Sequence, residues 1–105
     1  MIKISIKNKK IIIKGHANYD EYGKDIVCAS CSSIVITSIN AALRIDSKSL
    51  SYEEAKDKLT ITILNDNKYV QILIENMLAM LKELALTYKE NIKIEEEERP
   101  WILWN

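Results

Sequence analysis

Residues that build metal sites and disulfide frameworks are scarce in this chain. It has two cysteines and one histidine in 105 residues, no phenylalanine, one proline and two glycines. Two cysteines and one histidine fall short of the roughly four ligands of a zinc site. A disulfide between Cys28 and Cys31 would close too short a loop to add much stability. We therefore expect free thiols in a reducing compartment, with no metal and no cofactor.

Also missing are targeting segments, linkers and internal repeats. No signal peptide opens the chain, because lysines interrupt its first apolar residues. No stretch approaches the roughly 20 apolar residues of a membrane span. The length predicts a single domain over residues 1–105, with enough surface to fold without staples. We expect a cytoplasmic protein without a membrane partner.

The chain also lacks an excess of charge of either sign, because 15 lysines and arginines balance 15 acidic residues and the formal net charge is zero. Nucleic-acid binding requires a basic surface that displaces counterions, so the balance argues against a ribosomal protein or a general nucleic-acid binder. A local basic patch remains open around Lys7, Lys9, Lys10 and Lys14. No direct nucleic-acid partner is expected.

The first third of the chain predicts a hairpin, a loop and a helix. Residues 2–7 alternate apolar and polar side chains, and residues 10–14 form a second short apolar run after a turn at Asn8-Lys9. Residues 17–24 are polar and predict a loop. Asp25 is a candidate N-cap for a helix from Ile26 to about Arg44, which carries so little charge that we expect burial on most sides.

The remainder predicts a strand, a helix and a last strand. Residues 46–57 are ambiguous, with a short strand near Leu50 to Tyr52 as one option. Residues 58–64 alternate as a strand, and Asn65-Asp66-Asn67 precedes an amphipathic helix that ends near Tyr88. Apolar residues recur in that helix at Val70, Leu73, Ile74, Met77, Leu81 and Leu84. A strand from Ile92 runs into Glu95–Glu98 before Pro100, so the fold class is α+β: a small, mostly antiparallel sheet with two helices, in the order β-β-α-β-α-β.

The candidate chemistry lies between Gly15 and Ser32, which include the only histidine and both cysteines. With Asp25 as N-cap, Cys28 occupies the third helical position, where unpaired N–H groups and the helix dipole favour a thiolate. The same N–H groups can bind the oxyanion formed when a carbonyl is attacked. Together with His16, Cys28 forms the minimal pair for covalent acyl transfer.

Less specific interpretations compete with this pair. A histidine after a strand is usually a surface residue, and a cysteine in an apolar helix usually fills the core, as we expect for Cys31. Ser32 lies on the same face as Cys28 and either contributes to the site or bonds back to a helix carbonyl. The whole chain could instead be a non-catalytic peptide-binding module, a dimerisation domain with incidental His and Cys, or a thiol redox protein using Cys28 and Cys31.

This stretch resembles the ribosomal-processing cysteine protease family, called Prp. Its hallmark is Gly-His-Ala, a short loop ending in Gly, one further residue, then Asp-Ile-Val-Cys-Ala, with Ser or Thr four residues after the Cys. The chain matches it with Gly15-His16-Ala17, Gly23, Asp25-Ile26-Val27-Cys28-Ala29 and Ser32. The resemblance is strong over residues 15–32 and extends to the order of the elements elsewhere.

The resemblance implies a homodimeric bacterial endopeptidase that removes the N-terminal extension of the precursor of large-subunit ribosomal protein twenty-seven, a step in ribosome biogenesis. Cys28 corresponds to the family nucleophile and His16 to its general base. The amides near Cys28 and Ala29 are candidates for the oxyanion hole. Asp25 either caps the helix, which we favour, or orients His16, and Ser32 helps to position Cys28. The loop, with Ala17, Asn18, Tyr19, Tyr22 and Gly23, is implied to be mobile and to close on substrate.

Three features depart from the family pattern. Cys31 stands where a small or branched apolar residue is expected. The run Glu95–Glu98 is either a solvated strand end, as most such runs are, or a means of steering a basic substrate. Trp101 and Trp104 either pack against the body of the protein or contribute to a dimer contact.

Overall fold

A computed structural model describes residues 1–97. The elements follow in the order β1 (Ile2–Lys7), β2 (Lys10–Lys14), α1 (Ile26–Ile45), β3 (Leu50–Ala55), β4 (Lys58–Ile63), α2 (Lys68–Thr87) and β5 (Ile92–Glu96). The α+β class is confirmed. Glu98, Pro100, Trp101 and Trp104, on which part of the analysis above depends, lie outside the described residues.

The five strands form one mixed sheet in the order β3-β4-β2-β1-β5. Three neighbouring pairs are antiparallel, and β1 pairs with β5 in parallel, so that Ile4 lies beside Ile94. Antiparallel neighbours can be joined by tight turns, whereas a parallel strand needs a long crossover, which α2 helps to supply before β5. The position of β2 in the middle of the sheet brings the end of the first hairpin beside the β3–β4 turn.

The core lies between one face of the sheet and the two helices. Successive strand residues point to opposite faces, and Ile2, Ile4 and Ile6 of β1 are buried while Lys3 and Lys7 are exposed. The helices contribute buried residues at helical spacing to the same cluster: Val27, Cys31, Val35, Ile39 and Ala42 from α1, and Val70, Ile74, Met77, Leu78 and Leu81 from α2. Burying this apolar surface is the main force that holds the helices on the sheet.

The predicted order of elements leaves out one strand, which the sequence analysis offered only as a short option. Residues 46–57 contain β3, which is longer than the short option near Leu50 to Tyr52 and pairs with β4 along its whole length. Only Leu50 of this strand is buried, so its sequence lacks the alternation by which a half-buried strand is recognised. The observed order is therefore β-β-α-β-β-α-β.

Two expectations about α1 are also wrong. Its burial is confined to one face, and Ile26, Ile36 and Ile45 are about half exposed rather than buried. By length and composition alone, its 20 residues meet the requirement for a membrane span, contrary to the sequence analysis. A core helix passes the same test, and five buried residues of α1 pack in the core.

Candidate functional site

The first turn of α1 places Cys28 as predicted. The Asp25 side chain accepts hydrogen bonds from the backbone N–H groups of Val27 and Cys28, both at 3.0 Å, which makes it the N-cap. Cys28 is the third helical residue, and its side chain is partly buried against the core. The positive end of the helix dipole lies beside its sulfur, where it stabilises negative charge.

Asp25 also ties the preceding loop to the helix. Its second carboxylate oxygen accepts from the backbone N–H groups of Tyr19 at 2.9 Å and Asp20 at 3.3 Å. Burial raises the pKa of the Asp25 carboxyl, but the N–H groups of Cys28, Tyr19, Asp20 and Val27 outweigh it and hold the pKa below the usual 3.8. The geometry supports the favoured role for Asp25, helix capping.

Ala17 brings the backbone of the loop against the Cys28 side chain. Its amide donates to the sulfur of Cys28 at 3.3 Å, and its carbonyl accepts from the side-chain amide of Asn91 at 3.0 Å. The Ala17 side chain is buried in the core cluster. Ala17 is therefore held in place by its neighbours, with its N–H group aimed at the Cys28 sulfur.

His16 stands next to Ala17, just beyond the end of β2. Gly15 precedes it with φ of +86°, and a Cβ there would lie 2.7 Å from the Met1 carbonyl oxygen, so only glycine fits. The His16 ring does not contact Asp25 in the way we considered. Its Nε2 lies 2.8 Å from Oδ1 of Asp57, a residue of the β3–β4 turn that is 41 positions away.

An open cleft of about 500 Å³ joins these elements. Its lining includes nearly every predicted site residue: His16, Asn18, Tyr22, Gly23, Asp25, Cys28, Ala29 and Ser32, together with Asp20. Ser32 lies one helical turn from Cys28 and faces the same cleft. The back-bonding to helix carbonyls that we considered for Ser32 is made by Ser30 and Ser38.

The amides expected to bind the oxyanion already have hydrogen-bond partners in the structure. The Cys28 amide already donates to the Asp25 side chain, and the Ala29 amide donates to the Asp25 backbone carbonyl at 3.0 Å as a regular helical bond. An N–H group that is bonded within the helix start is not free to bind a new oxyanion. The Ala17 amide donates to sulfur, a weaker acceptor than oxygen, so this bond is more readily exchanged for one to an oxyanion.

Cys31 is a core residue, as the sequence predicts. Its side chain is buried, and burial, together with the nearby Cys28, raises the pKa of its thiol to about 11. Both cysteines are free. A thiol that stays protonated at neutral pH is a poor nucleophile, which argues against a redox pair.

The loop over residues 17–24 has a tied half and a loose half. Tyr19 is held by the Asp25 carboxylate and by an edge-to-face contact with the Tyr88 ring, at 5.3 Å between centroids. Tyr22 is 96% exposed, and nothing lies within 4 Å of a Cβ built on Gly23. The tip around Tyr22 and Gly23 is therefore the part of the loop with few contacts to the rest of the protein.

The described acidic residues of the last strand each lie near a lysine. Glu95 approaches Lys93 at 3.4 Å, and Glu97 approaches Lys7 at 3.9 Å. Glu96 lies 2.7 Å from Lys82 of α2. These pairs reduce the field of the acidic run and favour the solvated strand end over steering. Among residues 1–97, no group of three or more His, Cys, Asp and Glu is arranged to hold a metal ion.

Sequence reasoning missed two contributors, Asp57 and Asn91. Both lie far along the chain from the motif, Asp57 in the β3–β4 turn and Asn91 in the turn that precedes β5. Asp57 adopts φ of +58°, a conformation that Asp and Asn tolerate better than most residues, so a two-residue turn at Lys56-Asp57 between two strands was a readable signal. Its contact with His16 was not readable, because that depends on β4 pairing with β2.

The family model and the curated relatives that match this chain point to one family. A sequence model of the family described as "Cysteine protease Prp" matches residues 1–93. A ribosomal processing cysteine protease Prp of Staphylococcus aureus is 32% identical over 87 residues, covering 80% of this chain and 82% of that protein. Its counterpart in Mycoplasma genitalium is 31% identical over 97 residues, covering 92% and 97%. The crystal structure of the S. aureus protease with a covalently linked product peptide superposes with a TM-score of 0.82 at 27% identity, covering 91% of this chain and 97% of that one.

Proposed function

Because the chain belongs to the Prp family of cysteine proteases, we propose that it is a ribosomal-processing endopeptidase with Cys28 as nucleophile and His16 as general base. The observation that carries the proposal is the environment of the Cys28 sulfur. It lies at the start of a capped helix, accepts the Ala17 amide at 3.3 Å and shares an open cleft with the only histidine of the chain.

The proposed mechanism begins with proton transfer from the Cys28 thiol to His16. The thiolate then attacks the scissile carbonyl carbon, and the negative charge moves to the carbonyl oxygen. Ala17 donates the N–H that stabilises this oxyanion, in place of the helix amides that Asp25 already holds. His16 returns the proton to the leaving amine and next activates the water that hydrolyses the thioester.

For the substrate, we propose the N-terminal extension of the precursor of large-subunit ribosomal protein twenty-seven. The support comes from the relatives, which are named ribosomal processing proteases, and from the S. aureus relative, which has been crystallised with a substrate peptide. Substrate closure is assigned to the loose tip of the loop, at Tyr22 and Gly23. The tied residues, including Ala17, hold the nucleophile throughout.

The remaining parts of the proposal concern assembly and location. Residues 1–105 act as one protease domain, and the protein works as a homodimer, as the family resemblance implies. The enzyme works in the bacterial cytoplasm, where a free nucleophilic thiol stays reduced.

The test is cleavage of the purified extended precursor, followed by mass spectrometry, with Cys28→Ala and Cys31→Ala variants in parallel. We expect a single cut near the precursor's N-terminus with the wild type and with Cys31→Ala, and none above background with Cys28→Ala. The two variants remove the same sulfur atom one helical turn apart, so Cys31→Ala controls for nonspecific damage to α1.

Other outcomes count against the proposal. Near-normal cleavage by Cys28→Ala would exclude Cys28 as the nucleophile. An intact precursor with the wild type, under conditions where Cys28 is reduced, would exclude this substrate and favour a different peptide.

A further inference from the structure

We propose that Asp57 is a positioning residue that holds the His16 ring with Nδ1 as its basic nitrogen. The inference rests on the proposed function of His16 and adds a third side chain to the Cys28–His16 pair. The residue comes from the β3–β4 turn, outside the motif from residue 15 to 32.

The first argument is the hydrogen bond itself. Oδ1 of Asp57 lies 2.8 Å from Nε2 of His16, a short distance for an N–H···O bond. An ionised carboxylate only accepts, so Nε2 must carry the proton. In the neutral ring the other nitrogen, Nδ1, then has the free lone pair, and it is the only ring atom that can take a proton from Cys28.

The second argument is how the backbone places the two side chains. Lys14 of β2 pairs with Lys58 of β4, and the next rung is a hydrogen bond of 2.9 Å from the Gly15 amide to the Asp57 carbonyl. His16 is therefore the residue directly after the last backbone hydrogen bond between β2 and the β3–β4 turn. That bond holds the backbone of Asp57 beside it. The positive φ of Asp57, at 58°, belongs to the tight turn that ends this ladder.

The third argument concerns how much the His16–Asp57 pair contributes to stability and to kcat. The side chains of His16 and Asp57 are 51% and 48% exposed, so solvent and salt screen their attraction. Such a pair adds little to the stability of the fold, and its value lies in orienting the ring. We expect removal of the carboxylate to lower kcat about tenfold, at the low end of the roughly 10- to 100-fold cost of removing a carboxylate that orients a metal-bound histidine.

Two variants at position 57 separate orientation from folding. Asp57→Gly removes the acceptor and suits the positive φ of the turn, and Asp57→Asn keeps an acceptor oxygen and tolerates the same φ. Asp66→Asn, at an exposed aspartate before α2, removes one negative charge elsewhere as a control. We expect kcat about tenfold lower in Asp57→Gly with KM within about twofold, and partial recovery in Asp57→Asn. All variants should melt within a few degrees of the wild type, as expected for surface substitutions.

A second readout needs no substrate. The rate at which iodoacetamide alkylates Cys28 at neutral pH, located by mass spectrometry, should fall in Asp57→Gly toward the rate in His16→Ala. Unchanged or higher values of kcat and alkylation rate in Asp57→Gly would overturn the role of Asp57, even with Cys28→Ala inactive. Failure of the precursor assay in the wild type would instead count against the proposed function, while the alkylation rates still decide the role of Asp57.

Discussion

The two helices of this protein begin in almost the same way and yet serve different purposes. Each has 20 residues, and each is capped by an Asx side chain that accepts from the N–H groups of the second and third helical residues. Asp25 makes these bonds at 3.0 Å in α1, and Asn67 makes them at 3.0 and 3.2 Å in α2. The positive end of the helix dipole and the oriented N–H groups are therefore present at the start of both helices.

The difference lies at the third helical position and in what faces it. In α1 this residue is Cys28, whose sulfur meets the Ala17 amide and an open cleft. In α2 it is Val70, which is 2% exposed and belongs to the core. A capped helix start is thus not a site by itself. It becomes one where a loop and a strand end hold a cleft open beside it and supply a base.

The largest expected contrast comes from truncating the third residue of each helix. Val70→Ala should lower the free energy of unfolding by about 2 kcal/mol, because it removes buried methyl groups and leaves a cavity. Cys28→Ala should leave the melting temperature nearly unchanged while abolishing cleavage. Thermal melts followed by circular dichroism, with the precursor assay at a temperature where both variants are folded, check this. A Val70→Ala protein that melts normally but cannot cleave would contradict the contrast.

Removing the two caps should give a smaller difference. Asn67→Ala should cost about 1 kcal/mol, as for other N-caps, with activity retained. Asp25→Ala should destabilise more and also lower kcat, because the same carboxylate ties Tyr19 and Asp20 to the helix. Equal losses of kcat in the two variants would show that the loop does not depend on Asp25.

The effect of Asp25 should also depend on pH. Its pKa is lower in the folded protein than the 3.8 expected for the unfolded chain, so the ionised carboxylate stabilises the fold above about pH 3.8. That contribution is lost as the pH falls below 3.8 through the folded value. The difference in the free energy of unfolding between the wild type and Asp25→Ala should become smaller over this pH range. Asp46, whose pKa is also lowered, titrates in both proteins and does not affect the difference.

The smallest effect is expected one turn further along α1, at Cys31. Cys31→Ala should leave kcat within about twofold and cost about 1 kcal/mol of stability, as a small buried truncation. The wild type should take up one alkyl group near neutral pH, on Cys28, because the pKa of the buried Cys31 thiol is about 11. Mass spectrometry of the alkylated protein checks both sites. Rapid labelling of Cys31 would contradict its assignment to the core.

Local signals were enough to predict most elements and half of the site. Asp25 was predicted as a cap because an N-cap side chain bonds within three residues, and the Asn65-Asp66-Asn67 run marked the start of α2. The strands β1, β2 and β4 were predicted from short runs of apolar residues, which alternate with polar ones in β1 and β4. By contrast, β3 was largely missed because all but its first residue is exposed. The exposed face of α1 was also missed, since an apolar composition does not specify which side a helix buries.

The sequence by itself determined the helix start that presents Cys28, the strand end that carries His16 and the identity of both groups. Those features depend on contacts within a few residues, so a short sequence motif is enough to identify them. Only the tertiary structure decided that Asp57 holds His16 and that Asn91 holds Ala17. These contacts join residues 41 and 74 positions apart, and only strand pairing and chain packing bring such residues together.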